Sequence, residues 1–120
     1  MPLLEFEIVG PLDTAERASL AQRLADAAGG VFGSSPQSTW VRIRILDQAE
    51  YAENGGVASA PRPVFVKVTK RSNPEGPSMA DEVKRLTLAI AAVCDRPPEN
   101  VHICYEAPAA GRQAFGGEIV

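Results

Sequence analysis

Residues 2–9 read PLLEFEIV, and residues 63–70 read PVFVKVTK. Each stretch begins with proline and continues with apolar side chains at alternate positions, such as Phe6 and Ile8, which is typical of a strand with one buried face. The two stretches begin 61 residues apart in a chain of 120 residues. Because self-similarity at a fixed offset is the mark of a repeat, these stretches predict that the chain contains two copies of one plan.

Other residues recur at nearly the same offset. Pro36 and Pro98 lie 62 residues apart, and each precedes a second strand-like run. The glycine pair at residues 55–56 returns 61 residues later at residues 116–117. The agreement indicates that the duplication extends over the whole chain.

The two halves contain the same predicted elements. Apolar residues at helical spacing predict one helix from about residue 14 to 31 and another from about residue 78 to 93. Alternating apolar residues predict further strands at residues 40–45 (WVRIRI) and 101–105 (VHICY). Each half therefore reads strand, helix, strand, the order of a crossover unit with parallel strands.

We therefore expect an α+β fold of two layers, in which duplicated β-α-β units form one four-stranded sheet with both helices on one face. The chain forms a single domain, residues 1–120, with a first unit at 1–57 and a second unit at 63–120. The other face of the sheet is left bare, and Leu4 or Phe65 contributes apolar surface to it, depending on register. A bare and partly apolar sheet face indicates an oligomer.

Composition excludes several classes of function. Twelve Lys and Arg residues against fifteen Asp and Glu residues give a net charge of −3, so we expect neither a nucleic-acid partner nor a membrane partner. Residues 1–5 lack the basic and apolar features of a secretory leader. Cys94, Cys104 and the single His102 do not have the spacing of a zinc site. We expect a cytoplasmic protein without a metal.

A proline at position 2, followed by a strand, a helix, a second strand and a glycine-pair hairpin, resembles the 4-oxalocrotonate tautomerase plan. Two such units fused in about 120 residues resemble the larger members of the tautomerase superfamily. Those include 5-carboxymethyl-2-hydroxymuconate isomerase, macrophage migration inhibitory factor, malonate semialdehyde decarboxylase and cis-3-chloroacrylic acid dehalogenase. The resemblance implies a barrel-like homotrimer, a small carboxylate-bearing substrate, no cofactor, and a tautomerase or isomerase acting on small enol or keto acids.

Pro2 is the candidate catalytic residue. Once Met1 is removed, its nitrogen is a secondary amine, and an α-amino group has a pKa of about 7.7–8.0 in water. Burial or a nearby cation lowers that pKa, because both disfavour the protonated form. A neutral amine can take a proton from carbon beside a carbonyl and return it elsewhere on the conjugated system. The alternative interpretation is that Pro2 only begins an edge strand, as Pro63 does without a free amine.

Three arginines are candidates for binding the substrate carboxylate, because the guanidinium presents a planar fork of donors. Arg42 and Arg44 alternate in one predicted strand and so share a face. The resemblance assigns the strand arginine to Arg42, with Arg44 as the neighbouring choice, and matches Arg71 to an arginine of the dehalogenase subgroup. Lys70 is a weaker candidate than Arg71. The alternative interpretation of all these residues is that their charged side chains are only solvated at the surface.

Three aromatic residues are candidates for the wall of the pocket. Tyr51 precedes the first glycine pair, and Phe115 precedes the second. Tyr105 ends the last long predicted strand and could donate a hydrogen bond to a substrate oxygen. Packing in the core or at an interface is the alternative role for each of them.

Several positions depart from the family patterns. The oxalocrotonate enzymes have an arginine where residues 10–12 read GPL, and the dehalogenase subgroup has a histidine where Ala28 stands. Pro74 replaces a second arginine of that subgroup, and Gln113 or Ala114 stands near its water-activating glutamate. Two alternatives remain open. One is an enzyme that uses the same proline as a decarboxylase, or as a hydratase or dehalogenase, of small three-carbon acids. The other is a non-catalytic trimeric binding module.

Overall fold

The computed structural model describes residues 2–56 and 61–120. Met1 and residues 57–60, part of the predicted connection between the halves, lie outside the described residues. The main strands are β1 (Leu3–Val9), β2 (Trp40–Leu46), β3 (Val64–Thr69) and β4 (Val101–Tyr105). The helices are α1 (Thr14–Phe32) and α2 (Gly76–Cys94), and a short C-terminal hairpin consists of β5 (Ala114–Phe115) and β6 (Glu118–Ile119).

The four main strands form one sheet in the order β2-β1-β3-β4. β1 pairs in parallel with β2, and β3 pairs in parallel with β4, as the crossover order predicts. At the centre, β1 and β3 run antiparallel, with Leu3 opposite Thr69 and Ile8 opposite Val64. The fold is therefore the expected pair of β-α-β units sharing one sheet, and the central antiparallel pairing joins them.

The core lies between the sheet and the two helices. Alternate strand residues point towards the helices, and those of the two central strands are at most 2% exposed: Leu4, Phe6, Ile8, Val64, Val66 and Val68. They pack against buried helix residues that include Leu24 and Ile90. Leu4 thus belongs to the core, whereas Phe65 is half-buried on the bare face, which settles the register that the sequence left open.

The ends of the two helices are set by local capping residues. Asp13 caps α1, its carboxylate accepting a hydrogen bond from the Glu16 backbone N–H at 2.7 Å. α1 extends to Phe32 and ends at Gly33, whose φ of 65° is the left-handed conformation that glycine favours. α2 begins at Gly76, two residues earlier than predicted.

The C-terminal glycine pair forms the predicted hairpin turn, and β5 and β6 flank it. The first pair, at residues 55–56, also has positive φ angles, but residues 51–56 form a turn without a strand. Within residues 51–56, the first half of the chain therefore contains the glycine turn of the repeat but not its hairpin. Along residues 2–56 and 61–120, neither helix combines the length and apolar character needed to cross a bilayer.

We predict that Leu86→Ala lowers the free energy of unfolding by about 2–5 kcal/mol, because it opens a cavity in the core. Leu86 is fully buried on α2, whereas Leu88 on the same helix is 50% exposed. The matched control Leu88→Ala changes that free energy by less than about 0.5 kcal/mol. Urea unfolding followed by circular dichroism measures both. Equal losses in the two variants would contradict this description of the core.

Candidate active site

Pro2 lies at one end of the sheet, directly before β1. Its carbonyl oxygen accepts a hydrogen bond from the Trp40 backbone N–H at 2.9 Å, so the strand pairing with β2 continues through Pro2. Pro2 is half-buried. The N-terminal segment is therefore held against the start of β2.

The central strand register brings Lys70 to the same place. Leu3 lies opposite Thr69 in the last pair of the two antiparallel strands, and continuing that register by one residue sets Lys70 opposite Pro2. Alternation puts Pro2 on the helix side with Leu4, and Lys70 on that side with Val68. Directly opposite residues of an antiparallel pair have Cβ atoms about 4.5–5.5 Å apart. The extended register therefore predicts a lysine as the cross-strand neighbour of the Pro2 ring.

Lys70 belongs to a buried polar cluster that also contains Glu82 and Tyr105. The Lys70 Nζ donates to Glu82 Oε1 at 2.8 Å, and the Tyr105 hydroxyl donates to Glu82 Oε2 at 2.6 Å. The side chains of Lys70 and Glu82 are only 17% and 10% exposed. The Lys70 Nζ also lies 4.6 Å from the centre of the Phe32 ring. A buried charge is tolerated when it is paired and hydrogen-bonded, and both carboxylate oxygens of Glu82 meet that condition.

The Tyr105 phenol is held in its neutral form. Burial raises its pKa far above the ordinary value near 10, and the hydrogen bond to the Glu82 carboxylate raises it further. Tyr105 was predicted to donate to a substrate oxygen, whereas its hydroxyl donates to Glu82 in this structure.

Two aromatic rings meet at the start of β2. The rings of Trp40 and Phe115 meet edge to face, with centroids 5.2 Å apart and planes at 82°. This contact fixes the C-terminal hairpin against the start of β2, the strand end that hydrogen-bonds to Pro2. Phe115 therefore lies at the same end of the sheet as Pro2, and its role in a pocket stays a prediction.

Arg71 directly follows Lys70 and is exposed at this end of the sheet. Its backbone carbonyl oxygen accepts a hydrogen bond from the Ala110 backbone N–H at 3.1 Å. This contact involves the main chain and does not restrain the guanidinium. Nearby, Asn73 donates from Nδ2 to the Glu106 carbonyl at 3.1 Å, while its Oδ1 is buried without a hydrogen-bond partner.

Arg42 and Arg44 lie on the opposite face of the sheet from Lys70. They share that face with acidic residues of β1, and the Arg42 guanidinium donates to the Glu5 carboxylate. Glu5 is three residues from Pro2, about 10 Å along an extended strand. A groove of about 690 Å³ runs along this bare face, and its charged and ionisable lining includes Glu5, Glu7, Arg42, Arg44, Lys67 and His102.

Tyr51 lies towards the other end of the same bare face. Its ring centroid is 5.8 Å from that of Phe65, and its hydroxyl donates to Glu53 Oε2 at 2.5 Å. Phe65 is opposite Glu7 in the register, five residues from Pro2 and so about 17 Å away along the strand. Within one chain, Tyr51 and Pro2 therefore do not share a pocket.

The sequence did not identify Glu82, although a signal was present. Glu82, Leu86 and Ile90 follow one another at four-residue spacing on the buried stripe of α2. A carboxylate at a position that this periodicity reserves for apolar side chains indicates a buried ionic contact.

The two cysteines are free thiols. Cys94 is buried, and burial raises the pKa of its thiol to about 11, so it stays protonated at neutral pH. Among the described residues, no cluster of three or more His, Cys, Asp or Glu side chains could hold a metal ion.

We predict that Tyr105→Phe destabilises the protein by about 1–3 kcal/mol near pH 7, because it removes a donor from a buried carboxylate. The raised pKa of Tyr105 stabilises the folded state below the unfolded pKa of about 10, and this contribution is lost as the pH rises above that value. The variant should therefore lose less stability than the wild type between pH 9 and pH 11. Urea unfolding across that range tests both effects.

Tyr51→Phe is the matched control, since the Tyr51 hydroxyl donates to the exposed Glu53 in its own loop and the substitution keeps the ring. It should stay close to the wild type in stability at pH 7. A Tyr105→Phe variant as stable as that control would contradict the proposed strength of the Glu82 contact.

No protein-family profile and no curated protein matches this sequence. Solved structures do share its fold. A native fused 4-OT superposes with a TM-score of 0.77 at 20% identity, covering 98% of this chain and 94% of that chain. Malonate semialdehyde decarboxylase gives 0.68 at 19% identity, with 95% and 90% covered. Leishmania major MIF2 gives 0.62 at 23% identity, with 98% and 96% covered. The predicted resemblance is thus confirmed at the level of architecture: the chain has the fold of these tautomerase-superfamily structures.

Proposed function

We propose that this chain is a tautomerase-superfamily enzyme that interconverts small enol and keto acids without a cofactor, with Pro2 as its general acid and base. The observation that carries this proposal is the setting of Pro2. The residue is half-buried at one end of the sheet, its carbonyl is fixed by Trp40, and the β1–β3 register continued by one residue sets the cationic Lys70 opposite it. The fold that the chain shares with fused 4-OT supports the same assignment.

The chemistry requires a free imino group, and therefore removal of Met1. Partial burial and the nearby ammonium both disfavour a positive charge on this nitrogen, so they lower its pKa towards neutrality. The neutral nitrogen takes a proton from the substrate, and the resulting ammonium returns a proton to another atom of the conjugated system. The enzyme ends the cycle in its starting protonation state, as a general acid and base must.

The exposed residues around Pro2 support an acidic substrate. Arg71 supplies a guanidinium for the carboxylate, which also stabilises the negative charge that develops on the enolate. Phe115 and Trp40 add apolar surface at the same end of the sheet. Arg42 has weaker support than Arg71, because a carboxylate must displace Glu5 to bind it.

We further propose that three chains assemble through the bare face of the sheet. Its groove contains acidic β1 residues beside basic β2 residues, and Phe65 adds apolar surface that a lone chain exposes. An F6 fused 4-OT is an asymmetric trimer, and a Q0 fused 4-OT is a symmetric trimer. In such an assembly Arg44 and Tyr51 would lie where neighbouring chains meet, so their substrate roles depend on the trimer.

We predict that Pro2→Ala lowers kcat/KM for an enol acid of the phenylpyruvate type by about 10²–10⁴-fold, the usual contribution of general acid-base catalysis. Ketonisation of the enol, followed by ultraviolet absorbance, measures the effect. Mass spectrometry of the same sample must show that Met1 is absent. The control is Pro36→Ala, which changes an exposed loop proline and should retain wild-type activity.

Two results would refute the role of Pro2: wild-type activity in Pro2→Ala, or full activity in a chain that retains Met1. Loss of carbon dioxide from a three-carbon keto acid, without enol turnover, would instead assign the proline to decarboxylation.

We predict that light scattering gives a mass about three times the 12.7 kDa of the chain. Phe65→Glu should reduce that mass to one chain, because it puts a charge on the face that we propose to be buried. Leu88→Glu makes the same change on the outer side of α2 and should leave the trimer intact. A wild-type mass of a single chain would contradict the assembly.

A further inference from the structure

We infer that Lys70 is the cation that keeps the Pro2 amine neutral, and that buried Glu82 and Tyr105 are the positioning residues that hold Lys70 there. The inference rests on the proposed function of Pro2 and adds a physical cause for its ionisation. The cluster would thereby set the lower end of the pH range in which the enzyme works. It assigns a role to residues from three different elements, β3, α2 and β4.

The strand register fixes the place of Lys70. The Leu3–Thr69 pair makes Lys70 the residue opposite Pro2, and alternation directs both side chains to the helix side of the sheet. Four bonds separate the Lys70 Cβ from its ammonium, so the side chain can reach several positions. Its contacts restrict that freedom: the ammonium is bound to Glu82 at 2.8 Å and lies over the Phe32 ring.

Glu82 both holds the ammonium and moderates its charge. The carboxylate is 10% exposed, and it receives a second hydrogen bond from the Tyr105 hydroxyl at 2.6 Å. Since the Tyr105 phenol stays neutral, it adds a dipole and no net charge to the cluster. The field at Pro2 is therefore that of an ion pair in a poorly hydrated place, where charges act more strongly than in water.

The remaining charged groups near the cluster do not reverse this field. Further ionisable side chains on the surrounding segments are Arg71, Asp81, Arg85 and Glu106. Arg85 and Asp81 neutralise each other in an exposed pair at 2.8 Å. The exposed Arg71 has the same sign as Lys70, and the half-buried Glu106 carries the opposite charge, so these two offset each other in net charge. From α1 and from the residue before β2, Phe32 and Thr39 approach this end, and neither titrates. Lys70 and Glu82 are thus the two buried charges whose removal should have opposite effects on Pro2.

The direction of each effect follows from Coulomb's law. Lys70→Gln removes a positive charge, so the pKa of the Pro2 amine should rise by about one unit. Glu82→Gln leaves the ammonium without its counter-charge, so the pKa of the amine should fall by a similar amount. Lys70→Arg keeps the charge and should retain the wild-type value. If the cluster had a purely structural role, the two substitutions would not shift the pKa of the Pro2 amine in opposite directions.

The decisive experiment is a ¹⁵N NMR titration of the Pro2 nitrogen in protein from which Met1 has been removed. It compares the wild type with Lys70→Gln, Glu82→Gln, Lys70→Arg and the control Lys84→Gln. Lys84 is an exposed lysine on α2, two residues from Glu82, and its removal should leave the pKa of Pro2 unchanged. The acid limb of kcat/KM against pH, which reports the free enzyme, should move with the NMR value in every active variant.

The outcomes separate this inference from the proposed function. A wild-type Pro2 pKa at the free-peptide value of about 8 would overturn the proposed function itself. A lowered wild-type pKa that stays unchanged in Lys70→Gln would overturn only the role of Lys70. If Lys70→Gln does not fold, the other two variants decide. The inference would be overturned if the pKa of the Pro2 amine were unchanged or raised in Glu82→Gln. It would also be overturned if that pKa were raised in Lys70→Arg.

Discussion

The antiparallel pairing of β1 with β3 is the constraint on which the rest of the structure depends. It joins two β-α-β units that would otherwise be separate, and its register decides which residues lie beside Pro2. Leu4 and Val68 face each other in this register and are both fully buried, so packing in the core holds the pairing in place. A slip of one residue would turn Lys70 to the opposite face. The same apolar contacts that stabilise the fold therefore also position the candidate site.

The cluster at the end of the helix layer differs from the other ion pairs of the described chain. The Glu5–Arg42 pair and the Asp81–Arg85 pair are exposed, and pairs of that kind contribute little to stability. The Lys70–Glu82 pair is buried, where desolvation offsets most of the attraction between the charges, so an apolar pair could often replace it without loss of stability. Little net stability is therefore expected from the pair as a whole, which agrees with the role that we propose for it at the Pro2 amine.

The two faces of the sheet have different chemical character because strand residues alternate. The helix side contains the core and, at its end, the surroundings of Pro2. The bare side contains Arg42 and Arg44 opposite Glu5 and Glu7, and it would be covered only by assembly. Fused 4-OT and malonate semialdehyde decarboxylase share this architecture while their names denote different reactions. The shared fold therefore supplies a scaffold, and in the proposed function the residues around Pro2 select the reaction.

The sequence by itself determined the duplication, the four main strands and both helices to within about two residues, because periodicity and turn residues act over a few positions. It also made Pro2 and Phe115 candidate site residues, and both roles stay predictions. Only the tertiary structure decided that Pro2 faces Lys70 and that the Tyr105 hydroxyl bonds Glu82. These contacts join residues that lie 68 and 23 positions apart. Strand register and helix docking set such contacts, and both depend on how the whole core packs.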